Sequence, residues 1–154
     1  MAKNEIFVVT TDYASHPYVQ LTTTLSTEGA IKDILYAHKK FTPPKMSKKL
    51  EFGMKKFPVI LVFCSTDLKN YMDDKNGDSK CDLLRKEEKS VLEKGFKENE
   101  KKIILVQYTE GDESKMKPNC LKNHSLLPTH TEEEIAILKS RIRQKLTINQ
   151  PQKR

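Results

Sequence analysis

The sequence predicts a small α/β domain on a parallel sheet, and two apolar runs joined by a helical stretch carry that prediction. Residues 57–65, FPVILVFCS, lack the polar alternation of a half-exposed strand. A strand of this kind should be buried on both faces. Phe, Val and Ile favour extended backbone, and the run is short for a buried helix. Pro58 removes one N–H donor, which costs least at the first position of a strand. The second run, KIILVQY at 102–108, follows a helical segment. Strand, helix, strand is the pattern of a parallel sheet with right-handed crossovers. Residues 57–64 therefore belong near the sheet's centre.

At 154 residues the chain suits one domain with a respectable core. It is 36% apolar and 32% charged, which suits a soluble globule with a heavily solvated surface. No apolar run approaches the roughly 18 residues of a membrane span, and no signal peptide is expected before the first strand. The three cysteines form no CxxC pair. Cys64 lies inside the central strand and reads as a buried, reduced thiol. The expectation is a cytoplasmic protein. A net charge of +7 admits two readings. One is a lysine-rich solvated surface; the other is an acidic partner, protein or nucleic acid. Zinc-finger spacing, an RNA-recognition signature and a stacking aromatic cluster are all missing from the sequence, so the nucleic-acid version lacks support.

Taken in order, residues 6–11 (IFVVTT) form the first strand, and 12–17 a turn-rich break. Residues 18–27 read as a helix with Val19, Leu21 and Leu25 inward, although its four threonines are poor helix formers. Gly29 closes that helix. Residues 30–38 (AIKDILYAH) give a strand whose Lys32-Asp33 pair suggests a sheet edge. A basic loop at 38–46 follows, and Pro43-Pro44 suits the first turn of the next helix. That helix, 46–56, turns Met46, Leu50 and Met54 (or Phe52) toward the sheet. Residues 66–80 read as a polar loop. Residues 82–100 form a long charged helix, with Leu84, Val91, Leu92, Gly95 and Phe96 on one side. The fourth strand, 103–108, ends at an acidic turn containing Gly111, and a short edge strand lies near 125–127. In the last helix Thr131 and Glu134 make a capping box. Ile135, Leu138, Ile142 and Leu146 then recur on one face. The domain spans 5–147, and 148–154 form a flexible polar tail.

Several constellations suggest chemistry and fail on spacing. If Gly77 in DDKNGD takes the sixth position of a calcium loop, Met72 and Leu83 fall where ligands are needed. Cys120, His124 and His130, with Cys81 as a remote fourth, match no four-ligand zinc pattern, so no metal is expected. Phosphate-cradling and nucleophile-elbow motifs are also missing, and no cofactor is expected. Glu87, Glu88 and Glu93 stand on the long helix, with Glu88 near its apolar side. Such a carboxylate usually rims a core or pairs with a lysine.

The order of these segments resembles the Toll/interleukin-1-receptor (TIR) superfamily, and more closely its SEFIR branch, over about 5–146. IFVVTTDY is similar to the family's first strand and turn, and FPVILVFCSTDL to its third strand and the serine-containing loop beyond. The polar insertion before the third helix resembles that of the SEFIR adaptor of interleukin-17 receptors. IILVQYTEG, then PNCLKNHSLLP and an acidic-capped helix, is similar to its C-terminal third. The aromatic-cysteine pair before the third-helix glutamate of many TIR domains is missing, since the chain has no Trp and Leu84 lies three after Cys81.

The resemblance implies a flavodoxin-like three-layer sandwich with a five-stranded parallel sheet in order 2-1-3-4-5. It also implies homotypic docking onto SEFIR- or TIR-domain proteins such as interleukin-17-receptor-type cytoplasmic tails, as adaptor, receptor-tail fragment or competitor in innate-immune signalling. Self-association stays open. The implied surface comprises Lys86, Lys89, Glu93 and Lys97 on the third helix. Lys69, Tyr71, Asp73 and Asp74 flank it, with Lys39, Lys40, Phe41 and Lys45 from the basic loop. The expected role is non-enzymatic. The alternative is NAD cleavage of the kind some TIR domains perform, with Glu93, Glu88 or Glu87 as the catalytic glutamate. RNA binding through the basic surface is a further alternative.

Overall fold

Strand β1 (Glu5–Val9) is followed by helix α1 (His16–Leu25) and strand β2 (Ala30–Asp33). Helix α2 (Pro43–Lys56) leads into β3 (Val59–Cys64). Two helices, α3 (Thr66–Asp73) and α4 (Lys86–Glu98), separate β3 from β4 (Ile103–Gln107). Strand β5 (Leu126–Pro128) and helix α5 (Glu132–Ile148) complete the domain. This computed structural model describes residues 5–10, 16–28, 30–33, 43–73 and 86–148. The strands form one sheet in the order β2-β1-β3-β4-β5, and every neighbouring pair is parallel. The parallel pairing, the central β3 and the edge β2 are those the sequence predicts, and the strand order is the one the resemblance implies.

Right-handed crossovers decide which helix covers which face. The chain moves from β1 to β2 in one direction and from β2 through β5 in the other, so α1 and α2 fall on opposite sides. Alternate strand residues then feed two cores. Phe7, Val9, Ile60, Val62, Cys64 and Leu105 meet Met54 of α2, Leu68 and Met72 of α3, and Leu92 and Phe96 of α4. Ile6, Val8, Leu61, Phe63 and Val106 meet Tyr18, Leu21 and Leu25 of α1 and Leu138, Ile142 and Leu146 of α5. Cys64 is fully buried, and burial pushes its thiol pKa up to about 12.

Several local expectations change. Residues 66–73 are helix, not loop. Ser65 Oγ accepts from the Leu68 amide at 3.1 Å, capping the new helix, and Leu68 and Met72, one turn apart, both reach the core. Residues 74–80 lie outside the described residues. Helix α1 starts at His16, two residues early, with Pro17 in the first turn where a missing donor does no harm. Tyr18 takes the inward place expected of Val19, which is 47% exposed. The threonines of α1 survive by donating to the helix itself: Thr22, Thr23 and Thr24 hydroxyls reach the carbonyls of Tyr18, Val19 and Gln20. In α2, Met54 is buried while Phe52 is 60% exposed. Strand β2 is described over 30–33; the rest of its predicted span, Gly29 and residues 82–85 lie outside. The capping box holds, with Thr131 Oγ1 accepting from the Glu134 amide at 3.1 Å and Glu134 Oε1 from the Thr131 amide at 3.0 Å. Helix α5 extends through Ile148, one residue past the expected domain limit.

Polar ties fix the helices at their ends. Lys102 Nζ donates to the Met54 and Lys55 carbonyls at 3.1 and 2.7 Å, closing the C-terminal end of α2. Arg143 on α5 meets Glu28, just after α1, at 2.6 Å. Lys117 Nζ donates to Glu113 Oε1 and to the His124 carbonyl at 3.2 and 2.9 Å, bracing the β4–β5 connection.

Gly53 lets α2 sit close on β1, and Gly95 lets α4 sit close on α2, which yields a graded prediction. A methyl group at Gly53 would overlap the Phe7 ring, whereas at Gly95 it would overlap the flexible end of Met54. Alanine gains roughly 1 kcal/mol of helix propensity at either site. The rigid ring cannot yield cheaply and the thioether can. Gly53→Ala should lose about 1–2 kcal/mol net in urea unfolding, and Gly95→Ala should stay within about 1 kcal/mol of the parent. The reverse ranking would refute this packing.

His124 generates a pH prediction. Burial lowers its pKa below the ordinary imidazole value; Glu100 opposes this, while Lys145 and Lys117 add to the lowering. A depressed folded pKa means that the native state binds fewer protons than the unfolded chain. The resulting stability is fully present above the unfolded pKa and lost as pH falls through the folded one. His124→Gln should therefore lose less stability than the parent between pH 7.5 and pH 5. Parallel melting-temperature profiles would contradict the assignment.

Candidate interaction surface

Helix α4 has two different sides. Leu92, Gly95 and Phe96 are buried against the sheet and α2, and Val91 is half-buried. Ser90, Glu93, Lys94, Lys97 and Glu98 are exposed. The periodicity that fills the core thus leaves a continuous face of alternating charge on the outside. Glu93 and Lys97, one turn apart, stand on that face as the sequence predicts. Lys86, Glu87, Glu88 and Lys89 belong to the first turns of α4, and their side chains lie outside the described residues.

The flanking residues divide. Lys69 and Asp73 lie on α3 and form a 2.6 Å ion pair with each other, both mostly covered. Asp73 Oδ1 also accepts from the Asn119 amide at 3.0 Å, tying α3 to the turn at Asn119–Leu121. These two side chains therefore have work inside the fold. Tyr71 belongs to α3 and Lys45 to α2, with side chains outside the described residues; Asp74, Lys39, Lys40 and Phe41 lie outside them altogether. Helices α3 and α4 both pack on the turn that contains buried Leu121. The polar face of α4 and the α3 ion pair are thereby held on one side of the sheet.

Two grooves open on the surface, one on each face of the sheet. One, of about 210 Å³, runs between α2 and α4, lined by Glu51, Lys55, Ser90, Lys94, Gly95 and Glu98. Sequence reading passed over Lys94 and Glu98; Gly95, which permits the close approach of α2, was the available signal. Of the α4 carboxylates with described side chains, Glu98 borders this groove and Glu93 does not. The other, of about 490 Å³, lies on the opposite face beside α1, at the carboxyl ends of β4 and β5. His16, Gln20, Tyr108, Thr129 and Ile135 line it. Its floor continues into an aromatic cluster, with Tyr18 and Phe63 centroids 4.8 Å apart and Phe63 and Tyr108 5.4 Å apart. Nothing in the local sequence marks this groove, because its walls come from four separate elements.

Of the residues considered for zinc, Cys120 and His130 are exposed, His124 is half-buried, and Cys81 lies outside the described residues. Among the described residues no three His, Cys, Asp or Glu side chains are grouped closely enough to hold a metal ion. Among them, too, no helix is long and apolar enough to cross a membrane.

A scan against protein-family models finds no match, and a search of curated proteins finds none either. Comparison with solved structures does. The crystal structure of a prokaryotic SEFIR domain superposes with a TM-score of 0.60 at 12% identity, covering 93% of this chain and 98% of that one. At that identity the likeness speaks for architecture alone. The chain has a SEFIR-like fold.

Proposed function

We propose that this domain is a signalling interaction module that docks onto other SEFIR- or TIR-like domains by homotypic contact, with the outward face of α4 at the centre of the interface. The observation that carries the reading is the division of α4 within a SEFIR-like fold. Its inner side is spent on the core, and its outer side presents Glu93, Lys94, Lys97 and Glu98 to solvent. Lys86 and Lys89 extend the same helix toward its start. Mixed charge of this kind selects partners and speeds encounter more than it supplies affinity. The proposed partners are interleukin-17-receptor-type cytoplasmic tails, and the proposed setting is cytoplasmic. On this reading the domain has no catalytic role of its own. Nicotinamide released from NAD by purified protein, and lost on Glu93→Ala, would contradict that.

The test separates binding from folding. Lys86→Glu with Lys89→Glu, and Glu93→Lys with Lys97→Glu, should weaken capture of receptor-type tails. The Glu93 and Lys97 pair, exposed on α4, should shift stability by only about 0.5 kcal/mol per site, and the Lys86 and Lys89 pair should stay folded by far-UV circular dichroism. Leu92→Ala or Phe96→Ala should instead cost about 2–5 kcal/mol through lost packing, with binding lost only as a consequence. Full capture by both folded charge-reversed pairs would place the contact elsewhere.

A further inference from the structure

The outward face of α2 differs in kind from that of α4. Within Pro43–Lys56 the sequence carries five lysines, at 45, 48, 49, 55 and 56, against one glutamate, Glu51. The helix is fixed from its inner side, where Gly53 and Met54 are buried and Lys102 holds the last carbonyls. Its outer side shows Lys48, Phe52 and Lys56 on successive turns, all exposed, with Lys55 beside them. Phe52 is the most exposed ring among the described residues, at 60%, and Lys56 Nζ stands 5.2 Å from its centroid. The acidic residue does little to offset this. Glu51 reaches Lys55 at 3.6 Å with both side chains more than half exposed, a pair that solvent largely screens.

We propose that this face of α2 adsorbs to an anionic lipid surface, with the lysines at the headgroups and Phe52 entering the interfacial layer. The proposal concerns a different helix from the α4 docking face and does not depend on it. Three features favour lipid over the other polyanions. All the cations of α2 are lysine, the residue depleted from protein interfaces, where arginine and large aromatics anchor contacts. A helix presenting a convex stripe offers no channel to track a nucleic-acid backbone and only one ring on which to stack a base. Clusters of four to eight lysines on a helix favour anionic headgroups, and α2 carries five, with Phe52 exposed among Lys48, Lys55 and Lys56. No insertion of the helix is needed, because its inner side stays docked on the sheet.

Sedimentation of the full chain with phosphatidylcholine vesicles, with or without about a third phosphatidylserine, tests the idea. The protein should sediment with the anionic vesicles and not the neutral ones, and less as salt rises. Lys48→Ala and Lys56→Ala should each weaken binding about fivefold, the effect of one lysine near a charged leaflet. Phe52→Ala should weaken it as well, while leaving the salt dependence unchanged. Arg141→Ala, an exposed cation on α5 across the sheet, should bind within about twofold of the parent. Far-UV circular dichroism should show every variant folded, as expected for exposed sites. Three results would each overturn the proposal. One is parental binding by Phe52→Ala and both lysine variants. Another is an Arg141→Ala loss equal to that of Lys56→Ala. The third is tighter binding to duplex DNA than to vesicles, with the same dependence on α2.

Discussion

Two-sided burial of β3 is the constraint on which the rest of the molecule depends. All six residues of Val59–Cys64 are inaccessible to solvent, and the strand pairs with β1 over Val59–Val62 on one side and with β4 over Ile60–Cys64 on the other. A strand in that position has no polar edge and no wet face, so each side chain must find an apolar partner. Ile60, Val62 and Cys64 call for one helical layer, and Val59, Leu61 and Phe63 for another. Removing either layer would expose half of β3. The fold is therefore three layers deep because its central strand is apolar throughout.

That demand also fixes how the surface helices divide their residues. Helices α2 and α4 share one layer: α2 lies on the Phe7 ring of β1 through Gly53 and meets α4 through Met54 against Gly95, which turns their remaining residues outward. What reaches solvent then differs between them. Helix α4 presents alternating charge, suited to selecting a protein partner, while α2 presents lysines around a single phenylalanine. Two neighbouring helices on one layer thus carry two surfaces of different chemistry. On the opposite layer, α1 and α5 are linked by the Arg143–Glu28 ion pair, in which burial raises the Glu28 pKa but the Arg143 and Thr27 contacts outweigh it and hold the carboxyl below its ordinary value.

Much of the architecture was legible in the sequence because of the same constraint. A strand buried on both faces must be written as an unbroken apolar run, and the runs at β3 and β4 are unmistakable. The capping box of α5 was equally legible, since its partners lie three residues apart. Helix α3 was not. Its two core residues, Leu68 and Met72, sit among six polar or half-polar neighbours, and its cap, Ser65, looks the same in a loop. Phe52 and Met54 were interchangeable by spacing, and only the sheet's position decides between them. The surface was read less completely. The outer face of α4 follows from the positions of Leu92 and Phe96, so Glu93 and Lys97 could be placed in advance. Lys69 and Asp73 could not be recognised as internally engaged, because the Asn119 amide that Asp73 accepts from is 46 residues away. Both grooves have walls drawn from remote segments, and no local pattern announces them.

Native-state hydrogen exchange addresses the central claim most directly. If both helical layers depend on β3, the amides of Val59–Cys64 should exchange only through global unfolding, with protection equal to the stability measured by denaturant. The edge strands β2 and β5 should exchange through smaller openings. Exchange from β3 as fast as from β2 or β5, while the rest of the molecule stays folded, would contradict the account.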